Sequence, residues 1–367
     1  MNWFVSSAQL NAEQRRALKS LLDPGIITHW LMGYAGTGKT LVLTHALREI
    51  VRRTDDKTTI GYLAFTHALK ELVTSGLEDE EDRVEIRTVS DFFANPKHYD
   101  ILIVDEIQDV EAKILPVIKQ NCRRLIIAGD PAQSIYPARP KPAVISKLLG
   151  GIRKHVLREV PRLNAKTLLL SKSINPVGLS PVGKATGEGR AAIVIAGPTE
   201  EKAALATWKQ ALKVARAGHP AAILLPTHTL IHDFASHVAK SQGLGSPPER
   251  KPPNIGGYDN FNRFFSSKGT PLMFFGSDSG DLAKTDRSKL VLIMTYHSAK
   301  GLDFDHVFLP GLHAEARLDA KPKPLSKISQ ERILFFVAAT RAKLQLYLSY
   351  HGKPHKLVAD LPPSCLA

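Results

Sequence analysis

The feature that most constrains this chain is the octapeptide GYAGTGKT at 33–40. It follows a strand-like run, THWLMGY (28–34), and precedes a helix-like one, LVLTHALREIVRR (41–53). It fits the pattern G-x-x-x-x-G-K-[ST]. Glycines let backbone N–H groups wrap a polyphosphate, and a helix N-terminus adds a favourable partial charge. Gly33, Ala35, Gly36, Thr37 and Gly38 are then expected to cradle phosphates. Lys39 is expected to reach the β- and γ-phosphates, and Thr40 to hold Mg2+.

Further along, DILIVDEIQD (100–109) places Asp105 and Glu106 at the end of an apolar strand. Beside a phosphate-binding turn, such an aspartate holds Mg2+ and an adjacent glutamate polarises an attacking water. The next apolar run ends in AGDPAQSIY (128–136), where Gln133 is a candidate γ-phosphate sensor. Arg162 in VLREVPR and Arg341 in AATRAK are candidate arginine fingers, because a planar guanidinium stabilises charge developing on phosphoryl oxygens. Composition alone picks out neither.

Short apolar runs alternate with helical stretches. TTIGYLAFT (58–66), VEIRTV (84–89), DILIVDE (100–106) and RRLIIAGD (123–130) read as strands, the pattern of a parallel sheet covered by helices. Repeated prolines in PARPKP (137–142) interrupt it. It restarts with AAIVIAG (191–197), AAILLP (221–226), PLMFFG (271–276), KLVLIMT (289–295), HVFLPG (306–311) and LQLYLSY (344–350) as strands. ATWKQALKVARA (206–217) and ISQERILFFVAATRA (328–342) read as helices. The expectation is two α/β domains, 1–145 and 146–367. The 367 residues suffice for two at about 100–200 residues each. EDEED (78–82), GSPPERKPPNIGG (245–257) and DAKPKP (319–324) read as solvated loops, the proline-rich pair being the candidate contacts for a protein partner.

Composition narrows the function. Lys and Arg total 49 against 35 Asp and Glu, a formal net charge of +14, which attracts phosphate backbones. Two cysteines, Cys122 and Cys365, argue against a disulfide framework and for a reducing cytoplasm. No apolar run is long enough to span a bilayer, and no secretory leader is visible.

With these residues in place, the chain resembles the superfamily 1 helicases of the UvrD/Rep/PcrA group, whose motifs occur in the same order. LNAEQRRAL (10–18) resembles the adenine-reading glutamine motif, with Gln14 in the reading position. GYAGTGKT resembles motif I, LAFTHALKELV (63–73) motif Ia, and RTVSDFF (87–93) the segment after it. VDEIQD resembles motif II, GDPAQSIY motif III and LREVPR (157–162) motif IV. TYHSAKGLDFDHVFLPG (295–311) resembles motif V and ERILFFVAATRAK (331–343) motif VI.

The resemblance implies two RecA-like domains with ATP in the cleft between them. Lys39, Thr40, Asp105, Glu106 and Gln133 would come from the first domain, and Arg162 and Arg341 from the second, with Asp303 near the ribose. Phe65, Thr66, His67, Tyr136, Arg139, Thr295 and His297 occupy positions that touch single-stranded DNA in the family. The implied activity is ATP-dependent 3′→5′ translocation or unwinding on single-stranded DNA, in repair, recombination or defence. The alternatives are a nucleic-acid-gated ATPase switch and an RNA-directed motor. A monomer is expected unless a complex recruits it.

The sequence departs from the family in four respects. Motif Ia ends at 73 and RTVSDFF begins at 87, so the family's first large insertion has no room, and the second half is likewise short. Pro161 stands where motif IV carries a tyrosine that stacks on adenine. Leu41 replaces an arginine near the base. Ala138 replaces an aromatic that stacks between bases.

Overall fold

The computed structural model describes residues 4–134, 136, 139–175, 185–187, 189–252, 255–276, 279–318 and 327–367. The described residues up to Arg162 form one compact unit, and those from Leu163 onward form a second. Each is built on a six-stranded, wholly parallel sheet with helices between the strands, the α/β class expected.

In the first unit the strands are β1 (Thr28–Gly33), β2 (Ile60–Ala64), β3 (Glu85–Thr88), β4 (Tyr99–Val104), β5 (Cys122–Ala128) and β6 (Ile152–Leu157), in the order β3-β2-β4-β5-β1-β6. The helices are α1 (Ala12–Leu21), α2 (Lys39–Arg53), α3 (His67–Thr74), α4 (Val89–Ala94), α5 (Ile114–Gln120) and α6 (Pro142–Leu149). Every residue of β2 is buried, as a strand covered on both faces must be. Trp30, Leu63, Phe92, Leu102, Ile118 and Leu125 belong to one apolar cluster. All strands being parallel, the turns after β1, β2, β4 and β5 emerge at one edge of the sheet.

The short strands β7 (Val160–Asn164) and β8 (Ala185–Gly187) precede the second sheet. That sheet holds β9 (Ile193–Gly197), β10 (Ala221–Leu225), β11 (Leu272–Phe274), β12 (Val291–Thr295), β13 (Phe304–Leu309) and β14 (Ala342–His351), ordered β11-β12-β10-β13-β14-β9. Its helices are α7 (Ala165–Ile174), α8 (Glu200–Val214), α9 (His228–Ser241), α10 (Asp259–Ser267), α11 (Ala283–Arg287), α12 (Lys327–Ala339) and α13 (Lys356–Ala359). At the edge strand β11, Asn262 of α10 takes the place of a neighbouring strand. Its Nδ2 donates to the Phe274 carbonyl at 3.0 Å, and its Oδ1 accepts from the Phe274 N–H at 2.7 Å.

The division falls later than the expected 145/146. Residues beyond 145 complete α6 and then supply β6, which pairs with β1 from Thr28↔Ile152 to Gly33↔Leu157, so the first unit extends to Arg162. Arg162, expected on the second domain, is therefore the last residue of the first unit. The acidic run is not a free loop either. It lies in a short 3-10 helix, Glu78–Arg83, and the Glu80 carboxylate pairs with Arg48 at 3.1 Å and Arg52 at 2.8 Å. In the proline-rich stretch 245–257, Pro247 is buried and its carbonyl meets His232 Nε2 at 3.0 Å. DAKPKP lies outside the described residues from Asp319 on, as does Ala138.

Leu102 lies fully buried in the middle of β4. Leu102→Ala should cost about 2–5 kcal/mol of stability, lowering the urea midpoint of the transition that reports the first unit. An unchanged midpoint would contradict this packing.

Candidate nucleotide site and nucleic-acid interface

The turn after β1 is shaped by its glycines. Gly36 and Gly38 hold φ of 78° and 86°, a region that costs residues with a Cβ. Space is short as well: a Cβ on Gly38 would sit 2.5 Å from Gln14 Nε2, and one on Gly33 would sit 2.6 Å from Thr37 Oγ1. Lys39, the first residue of α2, lies across the loop, its Nζ donating to the Gly33 carbonyl at 2.8 Å and the Tyr34 carbonyl at 3.2 Å. Its charge thus lies among the backbone groups that would face a polyphosphate.

Gln14 ties α1 to this loop. Its Nε2 donates to the Thr37 carbonyl at 2.9 Å, and its Oε1 accepts from Asn11 N at 2.9 Å in a capping box. An amide has two N–H groups and two acceptor lone pairs, so one of each remains beyond these bonds. Leu41 is buried, and Pro161 is exposed.

The end of β4 brings the acidic pair to the same place. Thr40 Oγ1 donates to Asp105 Oδ2 at 2.7 Å, and the Tyr62 hydroxyl donates to the same oxygen at 3.1 Å. Asp105 Oδ1 accepts from Glu106 N at 2.8 Å. Asp105 is fully buried. Burial and the neighbouring Glu106 carboxylate push its carboxyl up to about 6, against the opposing hydrogen bond from Thr40. The donor set suits a hard cation. A hydroxyl that gives its proton to a carboxylate keeps lone pairs for a metal, and Mg2+ prefers oxygen ligands with one or two carboxylates beside phosphates.

Glu106 is the one non-glycine residue with positive φ among those described, at φ 53° and ψ 41°. Such strain persists where the surroundings impose it, and it clusters at active sites. Here a chain of side chains holds the segment. Gln108 Nε2 donates to Glu106 Oε2, Gln108 Oε1 accepts from Asp130 N at 3.1 Å, and Gln133 Nε2 donates to Asp130 Oδ2 at 2.8 Å. Gln133 is thereby joined to Glu106 through two intermediates. Tyr62 carries no spacing signal, and Gln108, although inside VDEIQD, has no role legible in the sequence because nothing local shows what its amide meets. Only their burial against the acidic pair identifies them.

At the same sheet edge, Phe65 follows β2 and its ring lies 5.4 Å from that of Tyr136. The Arg139 guanidinium stands 4.9 Å from the Tyr136 ring centroid and 3.3 Å from Glu111. Burial pushes the Tyr136 hydroxyl up to about 12, so it stays neutral. Phe65, Tyr136 and Arg139 are thus gathered into one aromatic and cationic cluster. Thr66 instead caps α3, accepting from Leu69 N at 3.1 Å, with His67 opening the helix.

In the second unit Arg341 is buried, and each of its three guanidinium nitrogens has a partner within the unit. Nε bonds the Val337 carbonyl at 2.9 Å, Nη1 the Leu302 carbonyl at 3.1 Å, and Nη2 the Thr340 hydroxyl at 3.1 Å. Asp303 Oδ1 lies 3.8 Å from Nη1, so two residues assigned separate roles form an ion pair. Thr295 ends β12 and closes the following turn, its Oγ1 donating to Ser298 Oγ at 2.8 Å and accepting from Ser298 N at 3.0 Å. His297 lies in that turn.

Gly38→Ala should weaken binding of a fluorescent ATP analogue by roughly 10-fold or more, because the new Cβ meets both the strained φ and the Gln14 amide. Wild-type affinity would mean that the loop does not carry the phosphates in this shape.

Comparison with known proteins identifies the family. Residues 277–353 match the UvrD-like helicase C-terminal domain, and residues 30–247 match the viral superfamily 1 RNA helicase core domain. DNA helicase II of Rickettsia typhi is 36% identical over 90 residues, 23% of this chain and 13% of that protein. DNA helicase II of Escherichia coli K12 is 34% identical over 92 residues, 21% of this chain and 12% of that protein. The chain therefore spans only a small part of these relatives. An arterivirus helicase, nonstructural protein 10, aligns over 95% of this chain and 64% of its own at 16% identity and a TM-score of 0.44, too distant to bear on substrate. With the core-domain match covering more than half of it, the chain belongs to the superfamily 1 helicases, and its C-terminal match makes it UvrD-like.

Proposed function

We propose that the protein is a nucleic-acid-stimulated ATPase that moves along single-stranded DNA. One observation carries the proposal: the phosphate loop with its acidic pair, and the Phe65–Tyr136–Arg139 cluster, share one sheet edge of one unit. The segment after β5 runs from Gln133 at the first to Tyr136 and Arg139 at the second. The two groups are thus close neighbours in sequence as well as on the sheet edge, which supports coupling between γ-phosphate and strand.

In this reading Thr40 and Asp105 hold Mg2+, which supplies charge neutralisation to the phosphates when bound. Gly33, Ala35, Gly36, Thr37 and Gly38 offer backbone N–H groups, and Lys39 neutralises the β- and γ-phosphates. Glu106 accepts the proton of the attacking water, and Gln133 senses the γ-phosphate. Arg162 and Arg341 stabilise the transition state. For Arg341 this requires exchanging its backbone partners and the Asp303 contact for phosphate oxygens. Asp303, released from that contact, serves the ribose as the resemblance implies. Gln14 reads adenine with its remaining N–H and lone pair, while Leu41 and Pro161 offer the base no polar grip.

Phe65, Tyr136 and Arg139 provide a stacking and cation–π surface that accepts any base. Thr66, His67, Thr295 and His297 complete the strand path. The basic net charge supports phosphate binding. The 3′→5′ direction rests on the resemblance alone. The relatives are named as DNA helicases and the core match as an RNA helicase domain, so both polymers belong in the test. Among the described residues no helix is long and apolar enough to cross a membrane.

Single-stranded DNA should raise the ATPase rate strongly and more than single-stranded RNA, with stimulation falling steeply as salt rises. Equal or greater stimulation by RNA would turn the assignment toward an RNA motor. Glu106→Gln should bind nucleotide yet turn over at least ~100-fold more slowly. Near-normal turnover would remove the general-base role from this residue.

A further inference from the structure

We infer that Gln108 is the positioning residue that holds the Glu106 carboxylate for water activation and links it to the Gln133 sensor loop. The inference rests on the proposed general-base role of Glu106. Gln108 is itself 1% exposed and lies between the two loops that follow β4 and β5.

The orientation of its amide is fixed by chemistry. A backbone N–H can only donate, so the group facing Asp130 N at 3.1 Å is the Gln108 carbonyl oxygen. The amino group therefore faces Glu106 Oε2, and it can only donate to that carboxylate. A carboxylate in place of this amide would keep the Asp130 half of the bridge and turn the Glu106 half into like-charge repulsion.

Two further features require the amide to be here. The Glu106 backbone is left-handed, with φ of 53°, which turns the chain back so that residues 106 and 108 meet. Gly129 leaves the space that Gln108 occupies: a Cβ at 129 would fall 2.0 Å from Gln108 Oε1. The same Cβ would meet Ile107 Cγ2 at 2.9 Å and Ile107 N at 3.0 Å, so the glycine before Asp130 makes room for the amide and for the backbone of the loop after β4 together. From Asp130 the bridge passes to Gln133 at 2.8 Å. The bridge therefore gives base and sensor a common anchor, so displacement of the sensor loop moves the carboxylate off its line.

The experiment is single-turnover and steady-state ATP hydrolysis by the full chain with saturating single-stranded DNA. The variants are Gln108→Glu and Gln108→Ala, each alone and combined with Glu106→Gln. Q108E, nearly isosteric, should lower kcat by roughly 10–100-fold with KM within about threefold, since a lost bond to a charged group acts on the chemical step. Binding of a fluorescent ATP analogue and the melting temperature should stay near wild type for Q108E. They separate loss of position from loss of fold should Q108A prove unstable. In the E106Q background Q108E should cost less than about threefold, because a residue that acts through Glu106 has nothing left to position. Wild-type kcat in Q108E would overturn the inference, as would an equal loss in both backgrounds. If E106Q itself turns over normally, the base assignment has failed. The inference then falls with it, whatever Q108E does.

Discussion

The 2.7 Å hydrogen bond from the Thr40 hydroxyl to the Asp105 carboxylate joins the first turn of α2 to the end of β4. Around it the first unit is organised. Tyr62 from β2 donates to the same carboxylate, and the Glu106 N–H donates to its other oxygen, so α2, β2 and the end of β4 converge on one buried charge. Parallel pairing makes this possible, since every strand points its carboxyl end the same way. A buried carboxylate beside a second carboxylate is costly, and its carboxyl is pushed up accordingly. The hydrogen bonds from Thr40, Tyr62 and the Glu106 N–H offset part of that cost.

The parts of this site legible in the sequence were those whose chemistry is local. The glycines of GYAGTGKT, the lysine and threonine after them and the acidic pair at a strand end follow from what a phosphate and a cation need of adjacent residues. The strands of both sheets were legible for a similar reason, because those buried on both faces read as continuous apolar runs. β6 was not. Its sequence IRKHVL is mostly half-buried or exposed, as suits an edge strand that must resist pairing with another chain, and it left no apolar run to find. The domain boundary and the unit of Arg162 were misplaced for that one reason.

Gln108 shows the other limit. Its partners stand at sequence separations of 2 and 22, and only the tertiary approach of the loop after β5 gives it a function. The second unit behaves alike. Nothing in TYHSAKGLD or AATRAK tells that Arg341 and Asp303 pair, or that Thr295 closes its own turn. These contacts hold the side chains in defined positions whose exchange for nucleotide or strand would cost or return free energy.

The central claim is that Thr40 and Asp105 form the cation-binding half of a nucleotide site. Equilibrium titration of a fluorescent ATP analogue, with Mg2+ and with a chelator, tests it on the wild-type protein and on Asp105→Asn. The account predicts that Mg2+ tightens binding severalfold or more in the wild type and has little effect in D105N. The same Mg2+ dependence in both proteins would contradict it.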